Sequence, residues 1–200
     1  MMIYLRHTPL SNILSHAHGC LTINDRERVG HYRHGILSRF CQINHLPMPI
    51  YDKNDYGKPF AKNIPILSFN QSHCASDYVL IYSLDVKNIG VDIENTNRQV
   101  KFHNLAKRYF HNDEYKIWQN DYYDECLWFK LWTIKEAVLK ASGIGIRLPL
   151  NEIRAVFIDG DTGYVYHKDI GKFYFKNIMI NACMTTVAYP FEYGDVQIKL

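Results

Sequence analysis

Nowhere in its 200 residues does this chain hold an uninterrupted apolar run of about 18 positions, so no membrane-spanning helix is expected. The opening stretch, MMIYLRHTPLSNILSHAHGC, has no basic patch followed by an apolar segment. That pattern argues against a signal peptide and for a cytoplasmic address. Cysteine is scattered: Cys20, Cys41, Cys74, Cys126 and Cys183 are odd in number, far apart and include no Cys-x-x-Cys pair. The spacing speaks against a disulfide framework and against a structural zinc site, and leaves reduced, mostly buried thiols as the expectation. Neither Gly-x-x-x-x-Gly-Lys-Ser/Thr nor Gly-x-Gly-x-x-Gly occurs, which removes the usual support for nucleoside-triphosphate and dinucleotide folds. No Gly-x-Ser-x-Gly elbow exists. His16, His18, His31 and His34 come without His-Glu-x-x-His and read as surface residues. Charge of one sign is also missing: 23 Lys and Arg oppose 20 Asp and Glu, a net of +3. This is too mild for a nucleic-acid stripe and suits an acidic partner or a phosphate-bearing ligand.

What is present fits a folded chain: 47% hydrophobic, 22% charged and 14% aromatic residues exclude a disordered one. Residues 24–43 read as a helix opening at Asn24 or Asp25, with Val29, Tyr32, Ile36 and Phe40 near one face. NDYGKP at 54–59 is a turn. Segments 67–70, 78–84 and 89–94 read as strands, the first two parted by a polar corner at Gln71, Ser72 and His73. Residues 100–119 and 123–142 are helical in pattern, and 156–158, 164–167, 172–180 and 183–189 read as strands. The economical arrangement is α+β, two halves meeting near residue 95 with a cleft between them: an N-terminal lobe at 1–95 and a C-terminal lobe at 96–200.

In the strand IGVDIE, the period of two puts Val91 and Ile93 on one face and Asp92 and Glu94 on the other. The two acids have Cα atoms about 6.6 Å apart. Two readings stand open, a solvated face of an edge strand or ligands for a hard divalent cation such as Mg²⁺. In the helix ECLWFKLWTIKEAVLKAS, positions Leu127, Leu131, Ile134, Val138 and Ala141 form the core stripe, and Phe129, Trp132, Glu136 and Lys140 fall opposite. Glu136 and Lys140 are either an ordinary i,i+4 pair or part of a site. Glu114 reads as a surface helix charge. Ser72 and His73 suit a phosphate, although a lone turn histidine is more often a structural partner.

The blocks GVDIE at 90–94 and WTIKEAVLK at 132–140, joined by YGKP at 56–59, FNQSH at 69–73, Phe110 to Glu114, and GIG at 143–145, resemble the 4′-phosphopantetheinyl transferase family, in its monomeric two-lobed, surfactin-synthetase-activating type. They run in family order over about residues 56–146. Gln71 and Cys74 depart from the family's usual corner residues, and neither change removes a metal ligand.

The resemblance implies two similar α+β lobes related by a pseudo-twofold axis, with the active site in the cleft. It implies transfer of the phosphopantetheine arm from coenzyme A to a serine of an apo acyl or peptidyl carrier protein, releasing adenosine 3′,5′-bisphosphate. Asp92, Glu94 and Glu136 match the family's Mg²⁺ ligands, with Mn²⁺ as the alternative ion. Lys58, Pro59, Ser72, His73, Lys135 and Lys140 match positions that hold coenzyme A, and Lys140 also neutralises the leaving phosphate. The base stays open between Glu136, Glu114 and a metal-bound water. The arginine that would hold the coenzyme's outer phosphate stays open between Arg28, Arg33 and Arg39. The carrier's docking surface is expected from Tyr115, Trp118, Tyr122 and Tyr123, unless these pack between helices. The expected partners are carrier protein and coenzyme A acting on a monomer, without nucleic acid or membrane. Two other classes remain in view, a Mg²⁺-dependent phosphodiesterase or nucleotide hydrolase and a non-catalytic carrier-binding module.

Overall fold

The computed structural model describes residues 1–15, 25–145 and 147–200. His16, His18, Cys20 and Asn24 lie outside the described residues. The chain runs β1 (Met2–Pro9), α1 (Leu10–Ser15), α2 (Asp25–Ile43), β2 (Tyr51–Lys53), β3 (Pro59–Ala61), β4 (Ser68–His73), β5 (Asp77–Ser83) and β6 (Gly90–Asn95). It continues through α3 (Phe102–Tyr109), α4 (Asn112–Asn120), α5 (Glu125–Ser142), β7 (Arg154–Phe157), β8 (Thr162–His167), β9 (Gly171–Ile180), β10 (Cys183–Pro190) and β11 (Gln197–Lys199). Among the described residues no helix is long and apolar enough to cross a membrane.

Alternation along the strands builds the layers. In β5, Tyr78 and Leu80 point to α2, where they meet Leu37, Cys41 and Phe69. Val79 and Ile81 point the other way, toward Val91 and Ile93 of β6 and Val187 of β10. One sheet, in the order β11-β1-β5-β4, is therefore covered by α2 on one face and by the second sheet on the other. The second sheet, β6-β10-β9-β8-β7, is covered in turn by α5. Two α+β halves, each a helix laid on a sheet, share a central apolar layer.

The sheets do not divide where the chain was expected to. β6 lies before residue 95 yet pairs with β10 of the second sheet, and the last strand, β11, pairs parallel with β1 of the first. Each half thus contributes a strand to the other, so the boundary at 95 separates sequence but not sheets. Other departures have local causes. The expected helix at 100–119 is two helices, because Phe110 and His111 are extended and His111 opens α4 with a capping box. There His111 Nδ1 accepts from the Asp113 amide at 3.1 Å, and Glu114 Oε2 accepts from the His111 amide at 2.8 Å. The polar corner at 71–73 is the end of β4, and the turn follows it.

α5 opens where Asp124 accepts from the Leu127 amide at 2.7 Å and closes at Gly143, whose φ of +75° is the left-handed stop that glycine adopts most readily. It is buried nearly all round, since α3 and α4 cover the side away from the sheet. Phe129, expected on the open side with Glu136, is accordingly fully buried among Phe102 and Trp128. The expected docking aromatics split: Trp118 is buried and donates to the Asp124 carbonyl, whereas Tyr122 is 94% exposed.

The tightest packing is between β6 and α5. A Cβ added at Gly90 would lie 2.1 Å from the Ala137 carbonyl oxygen and 2.4 Å from the Ala141 amide nitrogen, both backbone atoms with nowhere to go. Gly90→Ala is expected to cost at least about 1–3 kcal/mol, the usual penalty for overpacking a filled core. Gly30→Ala, where the added methyl meets open space on α2, should stabilise by about 0.5–1 kcal/mol. Urea unfolding of the two variants measures both.

Candidate active site

The close approach at Gly90 carries Asp92, two residues on, to the flank of α5. Lys140 Nζ donates to Asp92 Oδ1 at 2.7 Å and to Ser72 Oγ at 2.8 Å. The Ser72 hydroxyl donates in turn to the same Asp92 oxygen at 2.8 Å. Three elements, β4, β6 and α5, thus converge on one carboxylate. β4 and β6 are the edge strands of the two sheets, and side chains join them: besides Ser72, Asn70 Oδ1 accepts from the Val91 amide at 3.1 Å. Asn70 has no assigned role in the sequence reading, although its place in FNQSH, two residues before Ser72 on the same strand face, is the signal that finds it.

The second oxygen of Asp92, Oδ2, is buried with no hydrogen-bond partner. An unpaired carboxylate oxygen away from water is costly, and two further acids stand near it. Burial and the charge of Asp92 push the Glu136 carboxyl above its ordinary value, against the pull of Lys140. Burial and Asp92 raise Glu94 likewise, against Arg98, Trp132 and Lys140. The orphaned oxygen and the mutual repulsion fit a hard divalent cation with oxygen ligands such as Mg²⁺, which would satisfy the one and relieve the other. Asp92 is 5% exposed, so the solvated-face reading of this strand does not hold. Glu94 is the most constrained of the three: Arg98 Nε lies 3.0 Å from Oε2, and Trp132 Nε1 donates to Oε1 at 3.2 Å. Arg98 was missed in the sequence, where its only signal is a base four residues after Glu94.

Beside these residues a cleft of about 340 Å³ is lined by Tyr56, Lys58, Pro59, Glu136, Lys140 and Gly145, among others. Lys58 reaches across its floor and donates to the Ile89 carbonyl at 3.3 Å and the Ala141 carbonyl at 3.0 Å, tying the start of β6 to the end of α5. Burial pulls its pKa down to about 8 in spite of these acceptors.

Three of the expected residues are not gathered here. His73 is exposed and, by the strand's alternation, on the opposite face of β4 from Ser72. Glu114 and Lys135 are a correction, since the structure places them in the interior as a pair. Lys135 Nζ lies 2.6 Å from Glu114 Oε2, and both side chains are 1% exposed. The same ammonium donates to the Leu150 and Ile153 carbonyls, which uses all three of its protons. Glu114 also accepts from the Ala155 and His111 amides. A lysine with no free donor cannot hold a phosphate, and a carboxylate so saturated and enclosed cannot take a proton from a substrate. Lys135 sits one residue before Glu136, a rotation of about 100° that turns it from the cleft to the core. Of the candidate phosphate-binding arginines, Arg33 has its charge over the Tyr51 and Phe69 rings and Arg28 faces Asp25, while Arg39 borders a separate groove with Arg6 and His31.

The family model described as the 4′-phosphopantetheinyl transferase superfamily matches residues 88–188. The 4′-phosphopantetheinyl transferase gsp of Aneurinibacillus migulanus is 37% identical over 124 residues, covering 58% of this chain and 48% of its own length. The 4′-phosphopantetheinyl transferase Sfp of Bacillus subtilis (strain 168) is 35% identical over 123 residues, covering 58% of this chain and 50% of its own. The chain spans about half the length of the curated relatives it matches. A crystal structure of Thermotoga maritima holo-(acyl-carrier-protein) synthase overlaps with a TM-score of 0.45 at 17% identity, over 52% of this chain and 64% of that one, a likeness too slight to argue from.

Two outcomes test this assignment of roles. Lys135→Met leaves Glu114 in the core without its counterion and should destabilise by about 3–5 kcal/mol in urea unfolding, while Lys140→Met should cost less, because the Lys140 side chain is 30% exposed and Asp92 keeps the Ser72 hydroxyl. The depressed pKa of Lys58 has a signature of its own. Below about 8 the lysine is charged whether folded or not, and its desolvation cost is fully carried; between about 8 and 10.5 only the unfolded chain keeps the proton. Stability from this group therefore rises with pH across that window. The rise should appear as the difference between wild type and Lys58→Met in unfolding free energy measured from pH 7.5 to 10.

Proposed function

The chain belongs to the 4′-phosphopantetheinyl transferase superfamily, and from that premise we propose that it transfers the 4′-phosphopantetheine arm of coenzyme A to a serine of an apo acyl or peptidyl carrier protein, releasing adenosine 3′,5′-bisphosphate. The observation that carries this reading is the Asp92–Lys140–Ser72 constellation with its unpartnered buried oxygen, set beside a cleft between α5 and the chain at 56–59 and 70–71. In the transfer, the serine oxygen forms a bond to the phosphorus bearing the pantetheine arm, and the bond from that phosphorus to the bridging oxygen breaks. The serine proton goes to a base, and the electron pair leaves on the bisphosphate.

Asp92, Glu136 and Glu94 would hold the divalent ion, which when bound supplies positive charge against the pyrophosphate. The rest falls to the chain's own groups. Lys140 is anchored by Asp92 and Ser72 with its ammonium still part-exposed, so it meets an incoming phosphate without having to reorganise. Ser72 accepts from Lys140 while donating to Asp92, and so fixes the lysine's direction. Glu136, with its pKa raised, is the side chain suited to take the serine proton once Glu114 is set aside. Lys58 and Pro59 form the wall along which the arm would lie. The reading takes the chain as a cytoplasmic monomer.

Intact mass spectrometry of an apo carrier protein incubated with this protein, coenzyme A and Mg²⁺ tests the proposal. The expected result is addition of the arm, abolished by a chelator. Cleavage of coenzyme A with no gain on any carrier would instead indicate a hydrolase, and binding of carrier without cleavage a non-catalytic module. Asp92→Asn should lower turnover by about 100- to 1,000-fold, in line with loss of one charge-stabilising group, without a matching fall in melting temperature. Lys140→Met should reduce kcat more than carrier affinity.

A further inference from the structure

Two of the cysteines that look unrelated in sequence meet in space. Cys74 lies in the turn between β4 and β5, and Cys183 opens β10, 109 residues later and in the other sheet. Their Sγ atoms are 4.0 Å apart. Asp77, the first residue of β5, brings Oδ2 to 3.3 Å from the Cys183 sulfur. Among the described residues this is the only group of histidine, cysteine or acidic side chains whose ligand atoms all lie within 4.8 Å of one another. The carboxylates of the cleft are not drawn together so closely.

The spacing matches the edges of a metal tetrahedron. With zinc–sulfur bonds of about 2.3 Å and zinc–oxygen bonds of about 2.0–2.2 Å, tetrahedral angles place two sulfurs about 3.8 Å apart and a sulfur and an oxygen about 3.6 Å apart. The carboxylate is held in the required direction from behind, because His7 Nε2 lies 2.7 Å from its other oxygen, Oδ1. A histidine backing a ligating carboxylate is the kind of outer support that metal ligands receive. The position is reachable: Cys183 is buried, but Cys74 is half-buried and the neighbouring Ala75 and Ser76 are exposed.

We propose that Cys74, Cys183 and Asp77 form a site for a borderline-soft divalent cation of the zinc class, with solvent at the fourth position, that clips the first sheet to the second. Binding would release two thiol protons to solvent and form two thiolate bonds and one carboxylate bond to the ion, with no change in oxidation state. In the metal-free chain, burial, Cys74 and Asp77 push the Cys183 thiol up to about 12, so Cys183 rests as a thiol rather than as a reactive thiolate. The third ligand distinguishes the cluster from a mere pair of thiols poised for a disulfide, which needs no carboxylate. The site uses none of the cleft residues and stands or falls apart from the proposed transfer.

The test is Co²⁺ and Zn²⁺ added to the full chain after chelation and reduction. The expected result is a thiolate-to-cobalt charge-transfer band that saturates at one equivalent of thiolate-bound Co²⁺, whatever the cleft carboxylates take up, and that Zn²⁺ displaces. The band should be lost in Cys74→Ser and Cys183→Ser, kept in Cys126→Ser and Asp92→Asn, and its affinity weakened at least tenfold in Asp77→Asn. Zn²⁺ should raise the melting temperature of wild type by more than that of Cys74→Ser, the half-buried position that keeps the test available should Cys183→Ser not fold. Absence of the band in wild type, or an undiminished band in Cys74→Ser, would overturn the proposal. So would an air-exposed protein lighter by two hydrogens at a Cys74–Cys183 bond that takes up no metal after reduction.

Discussion

The backbones of β6 and α5 approach so closely at Gly90 that no side chain fits between them, and the functional end of the molecule is arranged around that contact. From it the strand carries Asp92 and Glu94 along the helix flank, where Trp132, Glu136 and Lys140 face them. A methyl group at position 90 would meet backbone atoms of α5 and force apart the strand and helix that carry Asp92 and Lys140. Lys58 reinforces the same contact from below, bonding one carbonyl on each side of it. The site is therefore held by backbone packing first and by charge second.

Two lysines of one helix show how position decides what a charge is for. Lys135 and Lys140 are five residues apart, a rotation of about 140°. Lys135 points into the core, where Glu114 and two carbonyls saturate it, and its work is to join α4, α5 and the start of β7. Lys140 points to the cleft and keeps part of its surface open while anchored to Asp92. The first is a fully enclosed ion pair; the second is an ion pair whose lysine is 30% exposed and can meet a ligand as well.

The exchange of strands ties these elements together. With β6 in the second sheet and β11 in the first, the two halves cannot separate without breaking pairing in both. A cleft between halves that exchange strands would suit the proposed transfer, which depends on placing a phosphate against fixed charges. The facing of Cys74 and Asp77 by Cys183 belongs to the same arrangement, since it arises only because β10 runs beside β6 and under the β4–β5 turn.

Local pattern was enough to read β6, α5 and the strands at 156–158, 164–167, 172–180 and 183–189. It placed Asp92 and Glu94 on one face and Glu136 beside Lys140, which is one strand and one helix seen by themselves. The family motifs added which of those faces belonged to one site. What the sequence could not settle was everything that depends on a partner far along the chain. Glu114 looked like a surface charge because its counterion, Lys135, is on another helix. Lys135 was expected to hold coenzyme A from its place in the motif WTIKEAVLK. β1 and β11 carry too little pattern to be paired from sequence, and chain order on either side of residue 95 does not show that β6 pairs into the second sheet and β11 into the first, because hydrogen bonding assigns a strand to its sheet. The cysteines read as scattered, reduced thiols, since the approach of Cys74 to Cys183 joins strands 109 residues apart. Sequence by itself determined which residues share a face of an element; only the tertiary structure decided which faces meet, because that depends on long-range packing that local periodicity does not encode.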